Sequence, residues 1–310
     1  MTDNDKVSVI IPVYNAGKFI IDCLDSIKQQ NINLEVICIN DGSTDDSEKQ
    51  IKQYCVSNLF VKYIYQDNAG APAARNKGLE IATGKYVMFF DADDILLPNA
   101  LKNMINILEN KTADIVIGDF NEVDEQNRVL NAVKQKNFIL NFHNHWCFAQ
   151  CPPLPGNKLI RKSILDNSKL KFENLKIGQD LNFYLKLVSF AEKIVLTEQP
   201  VMQYRIVTGS ISRQYTLKIL DICNSIDNVK KYYVEKGIED KYDKYVSVIE
   251  LIAYRSQLEK MRNFPNKEDR IKIKNVLWPR IKNCHVPFYK FRKTYYREKI
   301  KCILIILRYF

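Results

Sequence analysis

The chain has no apolar run near the roughly 20 residues that cross a bilayer. The longest one close to its end is Cys302 to Leu307. Its start, Met1-Thr2-Asp3-Asn4-Asp5, lacks the basic and then apolar segments of a secretion signal, so a cytoplasmic protein is expected. With 10 glycines and 10 prolines in 310 residues, collagen-like and low-complexity chains are excluded. The eight cysteines (Cys23, Cys38, Cys55, Cys147, Cys151, Cys223, Cys284 and Cys302) are scattered, and no CxxC pair marks zinc. Reduced thiols are therefore expected. Cys147 and Cys151 with His143 and His145 suggest a metal group, but Trp146 and Phe148 in the same stretch point to packing. No internal repeat is visible.

What is present suits a folded protein. Hydrophobic residues make up 46% and charged residues 26%, enough for a sizeable core in one large domain or a domain with an extension. The net charge of +10 is unevenly placed. Residues 217–310 hold 22 basic and 11 acidic side chains, whereas residues 1–216 hold 24 and 25. From Arg270 onward there are 12 basic residues and a single acid, Glu298. The two parts therefore face different partners.

Val7–Val13, Leu34–Ile39, Val61–Tyr65 and Lys85–Phe90 are short β-branched or apolar runs, read as buried strands. Helix-period stretches from Gly17 to Gln30 and from Ala71 to Ala82 alternate with them. Asp41-Gly42-Ser43-Thr44-Asp45 is a turn ending in helix-capping residues. This alternation implies a mostly parallel sheet with right-handed crossovers. Beyond Ile117 the pattern weakens: Glu122–Arg128 reads as a hairpin tip, residues 137–160 as irregular, Leu181–Phe190 as a helix and Lys193–Thr197 as a strand. From Thr216 the chain reads as helices with breaks near Gly237, Pro265 and Pro287.

Ligands of such sheets bind beyond the carboxyl ends of the strands. Tyr14-Asn15, Asp41, Asn68 and Asp91-Ala92-Asp93-Asp94 all fall there. Three carboxylates within Asp91–Asp94 repel one another and need a cation or donors. Hard oxygens suit Mg²⁺ or Mn²⁺, shared with substrate phosphates. The alternative is that Asp93 or Asp94 caps a helix starting near Pro98. Asp41 reads either as an Asx-turn or cap, or as an acceptor for the N–H of a base. Arg75 reads either as a phosphate ligand or as the ion-pair partner of one of these acids.

Taken together, Val7–Asn15, Asn40–Asp45, Asn68–Leu79 and Asp91–Asp94, in this order and spacing, resemble the family 2 glycosyltransferases. The resemblance covers roughly residues 5 to 215 and is extended by Asn157-Lys158-Leu159, Gly178-Gln179-Asp180, Tyr204-Arg205 and Ser210-Ile211-Ser212. It implies the α/β GT-A fold, Rossmann-like, with a mostly parallel central sheet flanked by helices. Residues 1–215 would be the catalytic domain, with a nucleotide-sugar half to about residue 118 and an acceptor half over 119–215. Residues 216–310 would be a basic, helical C-terminal extension. By the resemblance, Pro12, Tyr14, Asn15, Asp41, Asn68, Arg75, Asp91 and Ala92 bind the nucleotide-sugar. Asp93 with Asp91 holds Mn²⁺ or Mg²⁺, and Asp180 is the general base of an inverting transfer from a nucleoside diphosphate, UDP by family habit. Three places depart from the family pattern, the first being Asn40, before Asp41-Gly42-Ser43, where the family often has Asp. Gln179 stands where Glu is usual, and Val207 and Thr208 stand where some members place a His. The expected acceptor is a hydroxyl of a glycan or lipid-linked molecule in surface-polysaccharide synthesis.

His285–Phe310 interleaves Lys290, Arg292, Lys293, Arg297, Lys299 and Lys301 with aromatic and aliphatic residues, as in an interfacial helix drawn to anionic lipid. That would put the protein at the inner face of the cell membrane. Packing on the rest of the chain or on a second subunit is the other reading, so a homo-oligomer stays open. Trp146 and Trp278 are assigned to packing. Basic residues among aromatics also fit a nucleic-acid-binding protein, but the positive charge is confined to the end and the strand-end cleft is acidic, so no nucleic acid is expected. A catalytically silent scaffold is the third alternative, opposed by Asp91, Asp93 and Asp180.

Overall fold

A computed structural model describes residues 5–138, 145–207, 216–260, 264, 266–284 and 292–309. Four strands form a parallel block: β1 (Val7–Val13), β2 (Leu34–Asp41), β3 (Val61–Gln66) and β4 (Tyr86–Phe89). They adjoin in the order β3-β2-β1-β4, with crossovers through α1 (Ile20–Lys28), α2 (Ser47–Ser57) and α3 (Ala71–Ile81). β1 is apolar on both faces because helices cover both, and Val7, Val9, Ile10, Ile11 and Val13 are fully buried. Each such side chain contributes roughly 1.5–3 kcal/mol relative to exposure. The small residues of α3 let it lie close to the sheet: a Cβ on Gly78 would stand 2.3 Å from Ile10 Cγ2.

The sheet continues through β5 (Ile95–Leu96), β6 (Ile115–Val123), β7 (Val129–Val133), β8 (Lys158–Arg161) and β9 (Ile194–Arg205). β8 is antiparallel to β4 and β6, and β9 runs parallel to β6 and antiparallel to β5. The hairpin tip expected at Glu122–Arg128 is present. Asp124 Oδ1 there accepts from the amides of Gln126 and Arg128, both at 2.9 Å, closing the β6–β7 turn. β9 runs eight residues past the expected end at Thr197, to Arg205. Pro200 does not stop it because Pro200 lies where the β6–β9 register shifts, a place that tolerates a missing N–H. Two further helices, α4 (Ala100–Asn110) and α5 (Lys162–Ser168), complete this part.

The chain makes two compact units that alternate in sequence: one drawn from residues 1–138, 151–174 and 189–207, the other from 139–150, 175–188 and 208–310. The second contains α6 (Gln179–Val188), α7 (Asp221–Glu235), α8 (Glu239–Lys260), α9 (Lys267–Asn283) and α10 (Arg292–Tyr309). The gap between α7 and α8 falls at the expected break near Gly237, Pro265 and Pro287 lie outside the described residues, and Pro279 lies inside α9. α6, which the sequence groups with the first 215 residues, is tied to the helical unit. Asn182 Nδ2 donates to Ser225 O at 3.0 Å and Tyr233 OH donates to Leu185 O at 2.6 Å.

The seven described cysteines are free thiols. His143 and the side chains of His145, Trp146 and Cys147 lie outside the described residues. Among the described residues, no helix is long and apolar enough to cross a membrane.

Candidate active site

Parallel pairing brings the carboxyl ends of β1 to β4 to one edge, since Val13 is level with Asn40 and Asp41 with Gln66. The loops leaving that edge are stitched together by short polar side chains. Asn15, with a φ of 51°, accepts the Thr44 amide at 2.8 Å on Oδ1, and its own amide donates to Ser43 Oγ at 3.1 Å. Asn40 Oδ1 accepts the Ser43 amide at 2.9 Å. Asp45 takes the Gly17 amide at 2.9 Å and the Ser47 amide at 3.0 Å, which start the loops before α1 and α2. Gly42 has a φ of 72°, and a Cβ there would stand 3.0 Å from the Asn68 amide nitrogen, so the β2 turn and the loop before α3 lie against each other. Pro12 is half-buried at the end of β1, and Tyr14 is exposed beside it.

Asp41 is buried and acts as a clamp. Its Oδ1 accepts from Gln66 Nε2 at 2.7 Å and the Ala69 amide at 2.8 Å, and its Oδ2 accepts from the Gly70 amide at 2.8 Å. Asp41 therefore does not cap the next helix, whose N-cap is Asp46; it ties down the loop that leads into α3. Each carboxylate oxygen has more than one lone pair, so acceptance from a base remains compatible with the clamp. Asn68 is held at this edge by the same loop.

The acids after β4 have separate employments. Arg75, buried on α3, donates from Nη2 to Asp91 Oδ1 at 2.7 Å, and its guanidinium lies 5.3 Å from the Phe172 ring centroid. Asp94 is buried; its Oδ1 accepts the Arg205 amide at 2.9 Å, while its Oδ2 has no hydrogen-bond partner. Burial, then the charges of Asp93 and Asp91, push the Asp94 carboxyl well above the usual range. Asp93 is half-buried and makes no ion pair among the described residues. Burial, followed by the neighbouring Asp91, raises it to about 6. The helix expected near Pro98 is α4, and its first position is preceded by Asn99, not by Asp93 or Asp94. Ala92 is buried between the two acids.

Asp180 stands in the first turn of α6, in the helical unit, where the helix dipole favours a carboxylate. Gly178, two residues before it, has its carbonyl fixed by Ser225 Oγ at 2.7 Å. Thus Pro12, Tyr14, Asn15, Asp41, Asn68, Arg75, Asp91, Ala92 and Asp93 belong to one unit, and Asp180 is carried by the other.

Arg205, one of the residues that extend the resemblance but not one of the expected ligands, lies against this edge. It is buried at the end of β9, its guanidinium is 4.5 Å from the Phe19 ring centroid, and its Nη2 donates to Asn127 Oδ1 at 2.8 Å. It follows Asp94 by 111 residues, and only the β5–β9 pairing brings the two together.

A parallel block with an acid-lined carboxyl edge, joined to a mixed sheet and a helical C-terminal region, is the architecture of GT-A proteins. The model of "Glycosyl transferase family 2" matches residues 8–168, and the chain belongs to that family. Glycosyltransferase GlyG of Streptococcus pneumoniae is 30% identical over 224 residues, 68% of this chain and 74% of that protein. Glycosyltransferase GlyA of the same organism is 31% identical over 231 residues, 70% of this chain but 33% of that longer protein. Among solved structures, residues 1–349 of S. aureus TarS in complex with UDP-GlcNAc match with a TM-score of 0.68 at 21% identity, covering 98% of this chain and 90% of that chain.

Proposed function

We propose that the protein is a metal-dependent, inverting glycosyltransferase. It moves a sugar from a nucleoside diphosphate, UDP in our reading, to a hydroxyl of a glycan or lipid-linked acceptor in surface-polysaccharide synthesis. Family membership supports the transfer chemistry, and the UDP-GlcNAc held by TarS supports the choice of nucleotide. The observation that carries the reading is Asp93: a half-buried carboxylate beside Asp91, at the strand-end edge, that makes no ion pair among the described residues.

These residues fit a divalent cation of the hard-oxygen class. Asp93 and Asp91 would hold it, and no group of three or more His, Cys, Asp or Glu among the described residues could complete a protein-only cage. That suits Mg²⁺ or Mn²⁺ bound through one or two carboxylates plus donor phosphates. When bound, such an ion supplies Lewis acidity to the departing diphosphate. Arg75 orients the Asp91 carboxylate. Asp41 fixes the loop bearing Asn68, while Pro12, Tyr14 and Asn15 shape the base end of the cleft. Asp180, in the first turn of α6, accepts the proton of the attacking hydroxyl.

A thermal-shift series with UDP, GDP and their sugar conjugates, with and without Mn²⁺, tests the donor side. A shift with one nucleotide that needs both Mn²⁺ and Asp93 is expected. A metal-independent shift, equal in Asp93→Asn, removes Asp93 from that role.

A further inference from the structure

Of the features outside the donor edge, α10 is the one whose two faces disagree most. One face is core: Tyr295, Glu298, Cys302 and Ile306 are buried, and α10 packs on α8, with Glu298 ion-paired to Arg255 at 2.7 Å. About a quarter-turn and more around the helix, Tyr296, Ile300, Leu304 and Leu307 are exposed by 55%, 53%, 59% and 71%. Their spacing places them in one row. A second row, Arg297, Lys301 and Arg308, lies beside it on the solvent side and is also exposed. Arg297 and Lys301 both reach the buried Glu298, at 3.3 and 3.0 Å, and that is the only acid among the six basic residues of α10.

We propose that this outer face of α10 is a docking surface for an anionic lipid bilayer, with the helix lying in the plane of the interface. An apolar row bordered by a basic row matches the depth profile of such an interface: acyl boundary below, anionic headgroups at the level of the cations. Charge complementarity selects this occupant. Two copies of the chain meeting through the same face would bring the rows of Arg297, Lys301 and Arg308 together and repel. The surface would serve in the same way whichever sugar is transferred, or if none is.

The test is sedimentation of the full chain with phosphatidylcholine vesicles, with and without phosphatidylglycerol. Binding to the anionic vesicles alone, weakened by salt, is expected. Leu304→Asp with Leu307→Asp should weaken it at least about ten-fold, and Arg297→Gln with Lys301→Gln roughly 10- to 30-fold. Leu304 and Leu307 are exposed, so that variant should melt like the wild type and is otherwise replaced by the single substitution Leu307→Asp; Arg297 and Lys301 pair with the buried Glu298, so the charge variant should melt lower and is compared at a temperature where its melting curve shows it folded. Three results overturn the proposal: no vesicle binding by the wild type, binding unchanged in the Leu304/Leu307 variant, or binding to a DNA duplex as tight as to vesicles. A dimer in solution that the same double variant dissolves, without lipid binding, assigns the face to a second copy instead.

Discussion

The two ends of the parallel strand block both place acids against the sheet, yet they treat them in opposite ways. At the amino ends, Glu35 is buried and its oxygens are saturated. Oε1 accepts from Ser8 Oγ at 2.6 Å, the Thr83 amide at 2.6 Å and the Gly84 amide at 3.1 Å, and Oε2 from Lys62 Nζ at 2.8 Å and Lys6 Nζ at 3.2 Å. Burial would raise its pKa, but the hydrogen bonds from Lys62, Ser8 and Thr83 hold it well below the usual carboxylate range. At the carboxyl ends, Asp93 is raised and Asp94 keeps an orphaned oxygen. The first arrangement ties strands and loop together through a satisfied charge, whereas the acids of the second are pushed up by burial and by one another.

The sharpest way to break this contrast is activity. Asp93→Asn should lower sugar transfer by roughly 10³-fold, the scale of a lost metal contact, with an unchanged fold by circular dichroism. Asp180→Asn should cost about 10²–10⁴-fold in kcat with little change in donor affinity, as for a lost general base. Wild-type turnover in either variant would take that residue out of the mechanism. Glu35→Ala should instead leave activity per folded molecule intact and destabilise the protein by about 2–3 kcal/mol in denaturant melts, because it strands several buried donors. A loss of turnover with unchanged stability would invert the roles of the two edges.

A pH series refines the same point. The folded-state pKa of Glu35 is depressed, so its stabilisation is full above its ordinary value of 4.5 and is lost as pH falls below it. The gap in stability between wild type and Glu35→Gln should therefore be widest at neutral pH and shrink towards pH ~3. The smallest effect is expected from Asp93 on stability. Removing one of two repelling, part-buried carboxylates should raise the metal-free melting point of Asp93→Asn by a few degrees, about 1 kcal/mol. An unchanged or lower melting point would mean that Asp93 is structural.

Much of the carboxyl-end edge is legible in the order of the residues. Strand runs ending in Tyr14-Asn15, Asp41 and Asp91 declare a parallel sheet, and parallel strands must put those residues on one edge. What each acid touches is less legible. Asp41 has two readings as a sequence, and the packing of the Gly42 turn on Asn68 settles the clamp on Ala69 and Gly70. The pairing of Arg75 with Asp91 is one of two options that the residue types leave open. Tyr204-Arg205 is visible as a motif, but what Arg205 touches is not, since its partners are set by long-range strand pairing.

By itself, the sequence determined the alternation of strands and helices, the acids at strand ends and the concentration of positive charge after residue 216, because these follow from local periodicity and counting. Tertiary structure alone decided which carboxylates are satisfied and which are left wanting. It also carried β9 past Pro200, drew α6 into the helical unit and turned one row of α10 inward and another outward. Burial and hydrogen-bond saturation depend on atoms from distant parts of the chain, and no local pattern encodes them.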